Sequence, residues 1–312
     1  MTTEIRTFEG KTLYRYFPLT KEDKEDLKKF SAWRSSKNIN VFNVSRNYID
    51  SIAHDKDHRL IYLLANKKLY RTTPSGFNDP YDCLVEIYDK VADENLLNWL
   101  RLYYKNQAFC SNEWQQKEAR LLGYINDNNV NKINDKDKVI IIELIKSTLQ
   151  RIVNKSRVIC FSKGQENLLM WAHYADKHSG YCLTFDVKKL KDKNTLVGFF
   201  EVDYPPNESR PLIKLSPEEI ESFEFAKKIL LTKSVHWKYE EEVRLTYNDP
   251  NKYFDFKAEA LTEIVFGAKM SPEYQTGFKF LIKTLSKHEN EWKHVSCYNA
   301  KLDPKKYVVN IV

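Results

Sequence analysis

The chain has 312 residues, of which 42% are hydrophobic and 13% aromatic, so it can bury a sizeable core. Only 8 glycines are present, and neither Gly-x-Gly-x-x-Gly nor Gly-x-x-x-x-Gly-Lys-Ser/Thr occurs, which argues against a Rossmann or P-loop nucleotide site. The formal charge of +7 permits contact with nucleic acid, but the lysines are interspersed with acids, as on a solvated surface.

The cysteines and the apolar segments indicate the cellular compartment of the protein. The 5 cysteines are odd in number and form no Cys-x-x-Cys pair, which argues against a disulfide framework or a zinc knuckle. The first residues lack an apolar signal core, and no apolar stretch approaches the ~20 residues that span a bilayer. We therefore expect a cytoplasmic protein without a membrane partner.

The first half of the chain predicts two strands followed by a helical region. Segments rich in Tyr, Leu and Thr predict strands at residues 12–17 and 69–73, and the breaker-rich residues 74–80 predict a turn. Between residues 93 and 155, apolar side chains recur at a spacing of three to four, which predicts helices. Residues 126–137 are dense in Asn, Asp and Lys and predict a mobile surface loop.

The second half alternates short strands with helices. Helices are predicted at residues 166–177, 217–231 and 272–286. Strands are predicted at residues 158–161, 181–185, 197–204, 242–247, 263–266, 294–298 and 307–311. Because long crossovers are few, the simplest architecture is an α+β fold with a mixed, mostly antiparallel sheet flanked by helices. We expect a single domain over residues 1–312, with residues 93–155 as a helical insertion.

Two polar blocks follow predicted strands. Arg71 lies at a strand end beside a turn, where its planar fork could hold a phosphate or a carboxylate through two parallel hydrogen bonds. Ser162 could orient a ligand through its hydroxyl, or cap the helix that begins a few residues later. The neighbouring Asn78, Asp79 and Asp82 are also typical turn and helix-cap residues.

A third block, at residues 168–181, contains two His, two Tyr and a Trp within a predicted helix and its end. On a helix, Met170, Tyr174 and His178 are each four residues apart and share a face, while His173 lies on the adjoining stripe. The two histidines do not have the four-residue spacing of a helical zinc pair, so no metal site is predicted. Partly buried, structural histidines are the alternative.

The fourth block carries two carboxylates and an arginine. On a strand, Glu240 and Glu242 would point to the same face as Arg244. Two carboxylates on one face repel each other, so this pattern indicates an exposed, paired or functional arrangement. A simple salt bridge between Arg244 and a glutamate is the alternative.

Together these blocks resemble the bacterial family catalogued as domain of unknown function 2971. The resemblance rests on Phe77-Asn78-Asp79-Pro80-Tyr81-Asp82, on Cys160-Phe161-Ser162, and on residues 169–180 and 237–244. It extends from about residue 69 to residue 269. It implies a bacterial cytosolic protein, sometimes encoded near mobile or phage-defence genes, and brings no activity with it.

The order of Arg71, Ser162 and a Glu-x-Glu at Glu240 and Glu242 is also similar to that in ADP-ribosyltransferases. In that family the Arg grips the pyrophosphate of NAD and the Ser supports the nicotinamide side. The last Glu stabilises the oxocarbenium-like ribose as nicotinamide leaves, which is electrostatic stabilisation of a developing charge. The resemblance implies an NAD-using enzyme of this kind, and the first family adds the expectation of a role in phage defence.

Under this hypothesis each candidate residue has an expected role. Glu242 would be the catalytic carboxylate, with Glu240 assisting. Arg71 would bind phosphate, supplemented by His173. The nicotinamide pocket would be lined by Ser162 and Tyr174.

Two alternatives from other classes remain open. The first is a nucleic-acid-binding defence or regulatory module, indicated by the charge of +7 and by the Trp and Tyr content. The second is a nuclease that holds magnesium, a hard cation that prefers oxygen ligands, between Asp79, Asp82, Glu240 and Glu242. The sequence indicates no particular protein partner.

Overall fold

The computed structural model describes residues 7–36, 40–88, 90–105, 121, 123–125, 133–190, 198–207, 210–221, 224–247, 251–289 and 291–312. The α-helices named here are α1 (Lys21–Ser35), α2 (Val41–Ile52), α3 (Arg59–Asn66), α4 (Asp93–Lys105), α5 (Asp135–Lys155), α6 (Leu168–Tyr174), α7 (Val187–Leu190), α8 (Pro217–Glu221), α9 (Glu224–Leu230) and α10 (Pro272–Glu289). The strands are β1 (Thr12–Phe17), β2 (Lys68–Tyr70), β3 (Glu86–Ile87), β4 (Arg157–Ser162), β5 (Tyr181–Asp186), β6 (Gly198–Glu201), β7 (Leu212–Ile213), β8 (Glu242–Tyr247), β9 (Tyr253–Asp255), β10 (Leu261–Phe266), β11 (Ser296–Leu302) and β12 (Val309–Ile311).

A central sheet organises the fold, with its described strands in the order β12-β11-β10-β5-β1-β4-β8-β6. Strands β10 and β11 pair in parallel, and the other neighbouring pairs are antiparallel. The expected α+β class with a mixed, mostly antiparallel sheet is therefore confirmed. Two small sheets accompany it, one formed by β2 and β9 and the other by β3 and β7.

The two faces of the central sheet differ in chemistry because side chains alternate along each strand. On one face, Val243 and Leu245 of β8 and Phe161 of β4 enter the largest apolar core, together with residues of α1, α2, α3 and α10. The intervening residues Glu242 and Arg244 are also buried, but on the opposite face. The sheet therefore carries its charged residues on the side away from its largest core.

That opposite face supports two smaller apolar cores. The first packs α4, α5 and α9 against strands β4 and β6 of the sheet and against β3 and β7. The second surrounds Trp171 of α6, which is 0% exposed, over β1, β5 and β10. The charged side chains of β8 and the polar end of β4 lie between these two cores. The helices α4 and α5, from the region that was predicted as an insertion, thus pack on the sheet face that carries the charged residues.

Several local expectations were wrong. The sequence pattern did not indicate helices between residues 21 and 66, where α1, α2 and α3 stand. The helix predicted at residues 166–177 spans only Leu168–Tyr174, because the chain then turns through left-handed conformations at Asp176, Lys177 and His178. His178 therefore does not share a helix face with Tyr174. Residues 126–132 of the expected loop lie outside the described residues.

Capping explains where the first unpredicted helix begins. The Thr20 side chain accepts a hydrogen bond from the Asp23 backbone N–H, and the Asp23 carboxylate accepts one from the Thr20 backbone N–H. The buried Asp23 carboxylate also accepts the backbone N–H of Leu60 at 2.8 Å, which ties α3 to α1.

Within the described ranges, none of the helices combines the length and the apolar character that a bilayer crossing requires.

Candidate functional site

Arg244 is the centre of a buried charge network. Its side chain is 0% exposed and holds the carboxylate of Glu242 through Nε at 2.8 Å and Nη2 at 3.0 Å. Its Nη1 and Nη2 donate to the two oxygens of Asp82 at 3.1 and 2.6 Å, and Nη1 also donates to the carbonyl of Leu230 at 2.6 Å. One guanidinium therefore clamps the segment after β2 to the first residue of β8.

Lys233 extends this network toward a second glutamate. Its Nζ lies 2.5 Å from Glu240 Oε2, 3.4 Å from Glu242 Oε2 and 3.8 Å from Asp82 Oδ2. Burial would lower the pKa of Lys233, but the two glutamates outweigh it and raise that pKa to about 12. Burial would likewise raise the pKa of Glu242, yet Arg244 and Lys233 lower it to about 2. Both groups are therefore charged at neutral pH.

Glu240 has a different electrostatic environment from Glu242. Its Oε1 accepts the phenol of Tyr174 at 2.5 Å, and that phenol oxygen accepts Asn78 Nδ2 at 3.2 Å. Burial raises the pKa of Glu240, Lys233 opposes the rise and the charge of Glu242 adds to it. Glu240 is thus the carboxylate of the pair that can exchange a proton closer to neutral pH.

The backbone turns so that both glutamates face the same space. The sequence analysis had placed Glu240 on a strand, but the structure places it at the end of a 3₁₀ segment, Val235–Glu240. Glu241 takes a left-handed conformation with φ of 44°, after which β8 begins at Glu242. The hydroxyl of Ser162 donates to the Glu240 carbonyl at 2.8 Å, which fixes this turn to the end of β4. The cap of the next helix is Asn167, so Ser162 does not have the capping role considered as an alternative.

Asn167 joins α6 to the same turn. Its Oδ1 caps the helix by accepting the backbone N–H groups of Leu169 and Met170 at 3.0 and 3.2 Å. Its Nδ2 donates to the carbonyl of Tyr239. The short helix α6 is therefore held against the glutamate turn from its first residue, and this places Tyr174 beside Glu240.

A cavity of about 290 Å³ lies over this network. Its wall includes Tyr14, Tyr16, Ser162, Tyr174, Glu240 and Glu242. Strand order explains the convergence, since Ser162 is directly opposite both Tyr14 on β1 and Glu242 on β8. The volume is close to the lower end of the ~300–1,000 Å³ range of ligand pockets, enough for a ring and a sugar.

Arg15 of β1 also borders this cavity. Its Nη2 donates to the Tyr70 carbonyl at 3.2 Å, whereas its buried Nη1 has no hydrogen-bond partner among the described residues. Burial lowers the pKa of Arg15 to about 10, so the side chain keeps its charge at neutral pH. A buried donor without a partner is costly, and an anion could satisfy it if a side-chain movement exposed it to the cavity.

The structure brings four of the six predicted site residues together. Ser162, Tyr174, Glu240 and Glu242 line the cavity described above. The remaining two, Arg71 and His173, are not part of its wall. The guanidinium of Arg71 lies 5.8 Å from the ring of Phe254 and is buried. His173 is exposed, with its ring 6.1 Å from that of Tyr239.

Sequence reasoning missed Arg15 and Lys233. A basic residue between Tyr14 and Tyr16, in the apolar and aromatic run that follows Thr12, is the signal that could have indicated Arg15. Lys233 carried no such signal, because it stands among ordinary polar residues just before the fourth block. Only the three-dimensional contacts with Glu240 show its place.

Three of the four carboxylates considered for a magnesium site are engaged by cations of the protein. Asp82 and Glu242 bind Arg244, and Glu240 binds Lys233. In the part of the chain that the structure describes, no group of three or more His, Cys, Asp or Glu side chains is arranged to hold a metal ion.

Comparison with known proteins gives one match. Residues 170–245 match the model of the family described as Protein of unknown function (DUF2971). The matched segment begins in α6 and ends in β8, so it includes Tyr174, Lys233, Glu240, Glu242 and Arg244. This supports the family resemblance noted from the sequence. Neither the curated proteins nor the solved structures contain a significant match to the chain.

Proposed function

We propose that this protein is an NAD-using enzyme of the ADP-ribosyltransferase or NAD glycohydrolase type. The observation that carries the proposal is the adjacency of β1, β4 and β8 in the central sheet. These neighbouring strands bring Arg15, Ser162 and Glu242 to the wall of one cavity. An anion-binding cation and a fixed carboxylate around a sugar-sized cavity are what this chemistry requires.

Arg15 takes the phosphate-binding role for which the sequence analysis had suggested Arg71. It borders the cavity, keeps its charge at neutral pH, and has a buried Nη1 donor without a hydrogen-bond partner among the described residues. A side-chain movement that exposes this donor to the cavity would let a phosphate oxygen satisfy it with a charge-assisted hydrogen bond. Since the cavity holds about a ring and a sugar, the diphosphate of NAD would lie at its edge, near this guanidinium.

The two glutamates have different roles in the proposed reaction. As the bond between ribose C1′ and the nicotinamide nitrogen breaks, its electron pair leaves with nicotinamide and positive charge develops on the ribose. Glu242, with its pKa near 2, is ionised and stabilises that charge. Water or another acceptor then bonds to C1′, and its proton passes to Glu240, whose pKa is raised by burial.

Ser162 and Tyr174 act mainly on Glu240. The Ser162 hydroxyl holds the backbone of the glutamate turn, and the Tyr174 phenol holds one carboxylate oxygen. Fixing both parts restricts Glu240 to a single geometry, which favours proton transfer from a bound acceptor. The rings of Tyr14, Tyr16 and Tyr174 would cover the planar nicotinamide.

The test is nicotinamide release from NAD, measured by chromatography for wild type and for single Gln variants. We expect turnover by wild type and a loss of about 10²–10⁴-fold in kcat for Glu240→Gln, the range typical of general acid–base groups. The matched control is Glu241→Gln, because Glu241 is exposed and adjacent but does not line the cavity. It should keep wild-type turnover. Absence of any nicotinamide release, or full activity of Glu240→Gln, would refute the proposal.

A further inference from the structure

A second cavity, of about 410 Å³, lies behind the charge network. The proposed NAD chemistry makes no use of it. Its wall includes Tyr81, Pro205, Arg210, Lys233, His236 and Trp237. Lys233 borders both cavities. Of two neighbouring residues, Asp82 borders the first cavity and Cys83 the second, so the two cavities are separated by the thickness of about one residue.

Aromatic rings give this second cavity a surface for a flat ligand. Tyr81 lines the wall and is 68% exposed, so its ring is accessible to a ligand. Trp237 is half-buried, and the Lys233 ammonium lies 4.8 Å from its ring centroid. Indole and phenol rings at a wall favour stacking with a planar group.

Arg210 brings a positive charge to the second cavity, and its ion-pair partner among the described residues, Glu86, is shared with Lys146. Its Nη1 lies 3.9 Å from Glu86 Oε2, beyond hydrogen-bond distance. Lys146 already holds both oxygens of Glu86, at 3.0 and 2.9 Å. These three side chains together carry one net positive charge, and the Arg210 side chain is 44% exposed.

Asp79 is the acidic residue in the wall of the second cavity. Asp79 is buried, and its Oδ1 accepts the backbone N–H of Tyr81 at 2.9 Å, as in a turn cap. Lys233 is likewise committed, since its ammonium is held by Glu240. Arg210 is therefore the side chain of this wall best placed to bind an incoming anion.

We infer that the second cavity is a separate binding site for a planar aromatic molecule that carries an anionic group such as a phosphate. The ring would stack on Trp237 and Tyr81, and the anion would bind Arg210. The inference does not depend on NAD being the ligand of the first cavity. It goes beyond the proposed function because it requires a second small molecule on the far side of Lys233.

The test uses 1-naphthyl phosphate as the probe, with binding measured by isothermal titration calorimetry. We expect one site on wild type, weakened at least about tenfold by Arg210→Gln and by Trp237→Leu. Arg34→Gln is the matched control, because Arg34 is exposed at the end of α1, and it should bind like wild type. Circular dichroism checks that each variant is folded.

Further binding measurements distinguish this site from the first cavity. Arg15→Gln should bind the probe as wild type does, and 1-naphthol and inorganic phosphate should each bind more weakly than the joined molecule. The inference would be overturned if wild type did not bind the probe at millimolar concentration, or if Arg210→Gln and Trp237→Leu both bound it as tightly as wild type. Loss of binding in Arg15→Gln would also overturn it. So would displacement of the probe by NAD, since the second cavity would then receive part of the same dinucleotide.

Discussion

Replacing Arg244 with Met tests the buried network most severely. Arg244 is 0% exposed and donates four hydrogen bonds to Asp82 and Glu242, at 2.6–3.1 Å. Removing one partner of a buried ion pair costs about 3–5 kcal/mol, and here two carboxylates lose their main partner. We therefore expect a loss of at least about 4 kcal/mol, a large part of the ~5–15 kcal/mol that stabilises a typical folded protein.

The assay is urea unfolding followed by circular dichroism at pH 8 and pH 5. Without Arg244, burial raises the pKa of Glu242, so protonation at lower pH should relieve part of the loss and bring the variant closer to wild type. Adding Glu242→Gln and Asp82→Asn to Arg244→Met should restore stability, because no uncompensated charge is then buried at Arg244. A loss below about 1 kcal/mol, or a triple variant no more stable than the single one, would refute this account of the network.

Three further predictions concern the supports of the site. Asn167→Ala removes a helix cap and should lower the free energy of unfolding by about 1 kcal/mol or more, measured by urea unfolding. Gly267→Ala would place a Cβ 2.2 Å from the His178 carbonyl oxygen and should lower the melting temperature, whereas an unchanged value would contradict the close packing. Tyr174→Phe removes a hydrogen bond that lowers the pKa of Glu240, so the acid limb of the pH–rate profile should move to higher pH, and a shift to lower pH would contradict the assigned role.

The sheet was predictable from the sequence because its strands are short apolar runs bounded by turn residues. The helices before β2 were not, because α1 begins with the mixed charges from Lys21 to Asp26, which look like a solvated surface. Its capping box, formed by Thr20 and Asp23, is the local signal that could have indicated its first turn. The early end of α6 was hidden for another reason, since left-handed turns at non-glycine residues such as His178 follow from tertiary packing and not from local preference.

The candidate site was predictable where its residues cluster along the chain. Glu240, Glu242 and Arg244 stand within one short block, so their proximity could be expected. Arg15 and Lys233 are far from that block in sequence or carry no motif, and strand order alone brings Arg15 near Ser162. Choosing Arg71 as the phosphate-binding residue followed from its position beside a turn, which says nothing about which cavity the side chain borders.

NAD binding measured by calorimetry on Arg15→Gln and Arg71→Gln, beside wild type, tests the central claim most directly. The account predicts that wild type binds NAD and that Arg15→Gln weakens binding at least about tenfold, or about 1.4 kcal/mol. It also predicts that folded Arg71→Gln keeps nearly wild-type affinity, because Arg71 does not line the cavity. Absence of NAD binding by wild type, or a loss in Arg71→Gln with none in Arg15→Gln, would contradict it.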